Sequence, residues 1–178
     1  MTEIDAARFA TLLHVYGRAG DTPAHLAALG GGDTPSRRAA LEHLWSAVIH
    51  QGTPWTATPP AAVAVAALIG DPRLSGAANA DLRANLLGFL AAVAEAGRSS
   101  DGLANLDTLA SPVGFDVDSA LLAALDADDE DAIYADEVLA NAVYARAVLG
   151  CREITPTLLE AGLVHDRDTC RDLARDSG

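Results

Sequence analysis

Two histidines and a serine stand at helical spacing in the most site-like segment of this sequence. His43, Ser46 and His50 follow one another at three and four residues, so one face of a single helix would carry all three, with Trp55 in the next loop. Such a cluster could form a small-molecule pocket or contact a protein partner. In the alternative interpretation, His50 and Gln51 cap the last carbonyls of the helix, and Trp55 packs the loop down.

The spacing of these histidines does not indicate a metal site. Zinc sites use three or four ligands with local pairs, as in His-Glu-x-x-His. His43 and His50 lie two helical turns apart, and the only adjacent acid is Glu42. We therefore expect neither a metal nor a cofactor, and no catalytic residues.

A run of carboxylates is the strongest charge feature of the chain. Seven acidic side chains and no basic one lie between residues 126 and 137. In one interpretation they form a solvated turn whose charges favour the positive end of the following helix. In the other they form a docking surface that speeds encounter with a basic protein and makes binding salt-dependent. The predicted partner-binding residues are His43, Ser46, His50, Trp55, Asp128, Asp129, Glu130 and Asp131.

Charge and composition exclude several functions. The net charge is -13, from 25 acidic and 12 basic residues, which disfavours nucleic-acid binding. All the basic residues are arginine, so Schiff-base chemistry and lysine-dependent phosphate loops are excluded. The sequence has no G-x-S-x-G, C-x-x-C or G-x-G-x-x-G motif. The cysteines, Cys151 and Cys170, are expected to act as small hydrophobic residues rather than as a disulfide.

Hydrophobic periodicity predicts an all-α fold in one helical-repeat domain over residues 1–178. Half of the residues are hydrophobic and only 4% are aromatic, which favours closely packed helices. The apolar segment 61–69 should form a central helix, and 98–117 is an unusually long loop that could contain a short helix. The other helices are predicted from Thr2 to Tyr16, over 22–29, 34–50, 81–96, 119–125 and 129–149, from Thr155-Pro156 to Gly162, and from Asp166.

The longest apolar run, Ala61 to Ile69, is much shorter than the roughly 20 residues of a membrane span. The N-terminal residues also lack the basic region of a secretory signal. We therefore expect a cytoplasmic protein without a membrane partner. The sequence does not predict its oligomeric state.

A predicted helix from Leu41 leads into the loop motif His50-Gln51-Gly52-x-x-Trp55-x-Ala57-Thr58. A buried helix that ends at Ile69 follows this loop. This order resembles a pattern in bacterial, especially actinobacterial, HEAT-repeat-like proteins. The resemblance implies stacked antiparallel helix pairs, a HEAT/armadillo-like α-solenoid, whose surface commonly binds another macromolecule. It implies no activity.

These observations favour a non-catalytic scaffold that binds a basic protein partner, in a toxin-neutralising (immunity) or regulatory role. The alternative is a different class of function, a small-molecule-binding or enzymatic helical domain with its pocket near His43, His50 and Trp55. A DNA glycosylase of the HEAT type is disfavoured, because such enzymes need basic grooves.

Overall fold

In the computed structural model, residues 4–98 and 105–176 are described, with side chains described up to residue 162. The described chain is mostly helical, which confirms the all-α class. Within these ranges, no helix is long and apolar enough to cross a membrane. The elements are α1 (Ala6–Phe9), β1 (Leu13–His14), β2 (Gly17–Arg18), α2 (Thr22–Gly31), α3 (Thr34–His43), a π-helical turn (Leu44–Val48), β3 (Ile49–His50), β4 (Thr53–Pro54), α4 (Thr58–Ile69), 3-10 turns (Pro72–Leu74 and Ala77–Asn79), α5 (Ala80–Arg98), α6 (Leu106–Ala110), α7 (Val117–Asp126), α8 (Asp131–Ala135) and α9 (Glu137–Asp176).

Short polar residues begin several of the helices. The carboxylates of Asp5, Asp33 and Asp116 each accept a backbone N–H from the first turn of α1, α3 and α7. These bonds satisfy amide groups that have no partner inside the helix. Proline in the first turn of α2, α3 and α4 supplies a backbone angle already suited to the helix.

The predicted helix from Thr2 to Tyr16 is wrong beyond its first turn. Its start at Thr2 lies outside the described residues, and α1 ends at Phe9. The chain then forms a β1–β2 hairpin, in which Gly17 has a φ of 109°. Glycine adopts this angle readily, so the turn at Gly17 competes successfully with the helical period. Strands β3 and β4 make a second two-residue antiparallel pair, so the mostly helical chain also contains two short hairpins.

Helix α4 is buried, as the apolar run predicted. It packs against α2, α5 and α9, and its residues Ala61, Ala62 and Val65 are fully buried. A main core cluster joins these helices to α3. A second cluster brings Leu13 from β1 against α7, α8 and α9. The long helix α9 contributes to both clusters and also packs against α6.

Two glycines allow close helix contacts along α9. A Cβ atom added at Gly97 of α5 would lie 2.7 Å from the backbone nitrogen of Arg152 and 2.8 Å from the carbonyl carbon of Cys151. A Cβ added at Gly150 would lie 2.7 Å from Pro59 of α4. By contrast, a Cβ added at Gly88 of α5 would lie 3.8 Å from the Trp45 ring, an ordinary van der Waals contact.

The chain is continuously helical from Glu137 to Asp176, so the separate helices predicted at Thr155-Pro156 and Asp166 are wrong. Pro156 removes one backbone donor inside α9. The Thr155 hydroxyl donates to the carbonyl of Cys151 one turn earlier. Within the predicted 98–117 loop, the short helix is α6, while residues 99–104 lie outside the described ranges.

Cys151 gives a test of this packing. Its thiol is fully buried and free, and burial raises its pKa to about 12 from an ordinary value of 9.0. Three pKa units reduce the thiolate fraction at pH 8 by roughly 1000-fold, and burial also blocks access. In a Cys170→Ser variant, a thiol reagent should label Cys151 at least that much more slowly in the native protein than in denaturant. Rapid native labelling would contradict the packing of α9 against α4 and α5.

Candidate functional site

His43, Ser46 and His50 do not share one helical face, contrary to the sequence prediction. Helix α3 ends at His43, the π-helical turn contains Ser46, and His50 belongs to strand β3. The wider π-helical turn changes the angular spacing of the side chains and ends the helix early. His43 is buried, whereas His50 is half-buried.

The loop after His50 is a tight β-hairpin. Gln51 and Gly52 both have positive φ angles, 52° and 82°, as a two-residue turn of this kind requires. His50 Nδ1 donates to the carbonyl of Ser46 at 3.0 Å, which is the capping contact that the sequence suggested. The Thr58 hydroxyl accepts from the Trp55 backbone N–H at 2.8 Å and donates to the carbonyl of Val48. These bonds fix the hairpin to the start of α4.

The two hairpins lie side by side. The backbone N–H of Ala57 donates to the carbonyl of Leu13 at 2.9 Å, and Val15 N–H donates to the carbonyl of Ala47 at 3.1 Å. The Thr56 hydroxyl accepts from Leu13 N–H at 2.8 Å. Residues far apart in sequence therefore reach one region of the surface.

Four rings form what we call the aromatic surface: Tyr16, His50, Trp55 and Tyr134. The Tyr16 and His50 rings are 6.5 Å apart, and those of Trp55 and Tyr134 are 6.1 Å apart, both with edge-to-face geometry. Tyr16 is 66% exposed and Tyr134 is 47% exposed. The indole N–H of Trp55 is buried without a hydrogen-bond partner in the described structure. Large amphipathic rings in such an arrangement suit contact with another molecule.

The acidic segment joins this surface through Arg18. The Glu130 carboxylate accepts from the Arg18 backbone N–H at 3.2 Å, and Asp126 lies 3.5 Å from the Arg18 guanidinium. Burial, followed by the charges of Glu130 and Asp131, raises the pKa of Tyr134. The carboxylates are thus electrostatically coupled to the aromatic surface.

Other carboxylates of the segment have a structural role. Asp129 accepts from the Ala132 backbone N–H, and Asp136 accepts from two amides at the start of α9. These contacts agree with the interpretation of charges at helix starts. Asp128 and Asp131 are exposed and make no ion pair within the described part of the chain. These two carboxylates keep their charge available to a partner.

A polar cluster of two buried histidines and one exposed aspartate, which the sequence did not predict, lies near the first hairpin. It consists of His14, Asp21 and His43, and one ligand-type atom from each residue lies within 4.8 Å of the other two. His14 Nε2 lies 3.1 Å from one Asp21 carboxylate oxygen, and His43 Nδ1 lies 3.9 Å from the other. His43 Nε2 lies 2.9 Å from the Thr22 hydroxyl. No local spacing reveals this group, since it depends on the hairpin that brings His14 beside α2 and α3.

His43 is held in its neutral form. Burial, and then the charge of the neighbouring His25, lower the pKa of His43 to about 4, against the opposing effect of Asp21. The His25 ring stacks on His43 with centroids 4.1 Å apart. The Thr22 hydroxyl beside His43 is fully buried, so this pair does not present a nucleophile to a substrate.

A groove of about 680 Å³ lies elsewhere, between α1, α4, α7 and α9. Its polar lining includes Arg8 and the Arg146–Asp118 ion pair, and its walls include the exposed Val63 and Leu122. The lining does not include His43, His50 or Trp55. The groove is therefore separate from the pocket that the sequence suggested.

Comparisons with protein-family models, curated proteins and solved structures gave no match for this chain. The geometry of the described residues thus carries the functional argument.

Proposed function

We propose that the chain is a non-catalytic scaffold that binds a basic protein partner through the aromatic surface and the neighbouring carboxylates. The observation that carries this proposal is the exposure of Tyr16 and of Tyr134, with Asp131 close enough to raise the pKa of Tyr134. Asp128 and Asp131 are themselves exposed and make no ion pair within the described structure. The proposal joins the two surfaces that the sequence suggested separately.

The chemistry of protein interfaces supports this assignment. A few tyrosine, tryptophan or arginine side chains usually supply most of the binding free energy, and charged residues surround them. Here Trp55 packs beneath Tyr134 and restricts its motion, which reduces the entropy that binding must remove. The unpaired carboxylates would attract a cationic partner over a distance that depends on salt.

We also propose, from the resemblance to HEAT-repeat-like proteins, that the helices stack in antiparallel pairs as an α-solenoid. A toxin-neutralising or regulatory role is its specific form, because an acidic protein that covers a basic one neutralises it without catalysis. His43 and Ser46 contribute through the shape of the hairpin region rather than through direct contact. His43 is buried and bonded to Thr22.

The test is capture of partners from the source cells by the tagged protein, at low and at high salt. A basic protein should bind at low salt and dissociate at high salt. Asp128→Asn with Asp131→Asn should reduce the retention of this partner and the salt dependence of its binding. Tyr134→Ala should weaken binding by roughly 30-fold.

The matched control carries Asp81→Asn and Asp107→Asn. Both are exposed residues in the first turns of α5 and α6, and their replacement changes the net charge by the same amount. This control should retain the partner almost as well as the wild type. Equal losses in the two double variants would show that net charge, rather than this surface, determines capture, and would contradict the proposal.

A further inference from the structure

We propose that His14, Asp21 and His43 form a binding site for one divalent transition-metal ion, with Zn²⁺ as the best fit. The site goes beyond the proposed partner surface and does not depend on it. It also differs from the expectation that the chain takes no metal, which rested on local spacing alone.

The distances suit three ligands of a common ion. Zinc binds histidine nitrogen and carboxylate oxygen at about 2.0 to 2.2 Å, so ligands in a tetrahedral site are about 3.4 Å apart. His14 Nε2 lies 3.1 Å from one Asp21 oxygen, and His43 Nδ1 lies 3.9 Å from the other. One ligand atom from each of the three residues lies within 4.8 Å of the other two, so small side-chain shifts would bring them to this spacing. The 3.9 Å distance is too long for a hydrogen bond, but a shared ion would bridge it.

The position of Asp21 is an independent indication. Asp21 is the residue before α2, where an aspartate side chain normally accepts an amide from the first turn. It makes no such bond, whereas Asp5, Asp33 and Asp116 do at their own helices. Its carboxylate lies beside the two buried histidines instead.

The hydrogen bond of His43 supports coordination through Nδ1. If Nε2 carries the proton and donates to the Thr22 hydroxyl at 2.9 Å, the lone pair of Nδ1 faces Asp21. Metal-bound histidines commonly donate their other N–H in this way, which fixes the ring. The stacked His25 ring further restricts His43.

To bind the ion, His14 must give up two hydrogen bonds, one to the Tyr16 backbone and one to Asp21. Its Nδ1 accepts from the Tyr16 backbone N–H at 3.2 Å, so in the neutral ring Nε2 carries the proton and donates to Asp21. Coordination through Nε2 would move the proton to Nδ1 and break the bond to Tyr16. The ion replaces the bond to Asp21, and the single bond to Tyr16 is weak beside three metal–ligand bonds.

The ligand set selects the class of ion. Two imidazoles and one carboxylate suit Zn²⁺ and related transition metals, whereas Mg²⁺ and Ca²⁺ prefer oxygen ligands. The Asp21 side chain is 54% exposed, so a water molecule could complete the coordination on that side. Three protein ligands with one open position are the arrangement of zinc sites that bind an exchangeable ligand.

The test uses the full chain after removal of metal by a chelator. Zn²⁺ added in competition with a coloured chelator should bind at about one equivalent, and Co²⁺ should give a visible absorption band that Zn²⁺ removes. Asp21→Asn and His43→Gln should each weaken Zn²⁺ binding by more than roughly 100-fold, since loss of an outer partner alone can cost that much. His50→Gln and Asp81→Asn should bind like the wild type.

A nitrogen-15 NMR experiment on the wild type keeps the test independent of variant folding. Zn²⁺ should shift the resonances of His14 Nε2 and His43 Nδ1, which are the predicted coordinating atoms. Absence of one-equivalent binding, binding that survives both site substitutions, or shifts confined to other histidines would overturn the proposal. Partner capture by the aromatic surface would be unaffected by any of these three results.

Discussion

Gly97→Ala should destabilise the protein by about 3 kcal/mol and lower its melting temperature by roughly 6 to 12 °C. The new methyl group would lie within 3.0 Å of the backbone of Cys151 and Arg152, where no side-chain rotation can relieve the contact. Helices α5 and α9 would have to separate, and the carbonyl of Gly97 would lose its bond from the Arg152 guanidinium. Thermal and urea unfolding, followed by circular dichroism, would measure the change.

Gly162→Ala is the matched control. Gly162 also lies in α9, but no atom is within 4 Å of an added Cβ. Alanine has the higher helix propensity, so this substitution should leave stability unchanged or raise it by up to about 1 kcal/mol. If the two substitutions had the same effect, the close contact between α5 and α9 would be wrong.

Phe89→Ala should have a comparable or larger effect, a loss of about 3 to 5 kcal/mol in the free energy of unfolding. Phe89 is fully buried in the main core cluster. The Trp45 ring meets it edge to face, with ring centroids 6.0 Å apart. Truncation would remove apolar burial and leave a cavity that the surrounding helices fill only in part. Urea unfolding should show a lower midpoint with a similar slope.

Leu159→Ala provides the comparison for Phe89→Ala. Leu159 is a large apolar residue in α9, but it is 60% exposed. Its truncation should change the free energy of unfolding by less than about 1 kcal/mol. A small effect at Phe89 would contradict its central place in the core.

The predictable parts of the fold are those that local physics determines. The apolar run of α4 predicted a buried helix, and the spacing in α5 predicted an amphipathic one, because in both cases the period of the sequence and the tertiary packing agree. Around Tyr16 the period of the sequence and the tertiary packing disagree. The apolar spacing continued as for a helix, but Gly17 permits a turn and Leu13 is buried in the second core cluster.

In the candidate sites, too, contacts between near neighbours in sequence were predictable, and contacts that depend on tertiary packing were not. The capping bond of His50 involves a residue four positions earlier, and local sequence was enough to suggest it. The cluster of His14, Asp21 and His43 depends on the first hairpin, which the helical pattern hid. At Pro156 the error is the reverse, because the sequence predicted a helix boundary that does not exist. Contacts along α9 maintain the helix through a residue that usually ends one.

The bond between the Arg18 backbone and Glu130 joins residues that are 112 positions apart. A ribosome makes the first hairpin early, but Glu130 leaves the exit tunnel 112 residues after Arg18. The complete aromatic surface, including Tyr134 of α8, therefore cannot exist on a short nascent chain. A partner that recognises the whole surface would bind only after α8 has left the ribosome and packed beside the first hairpin.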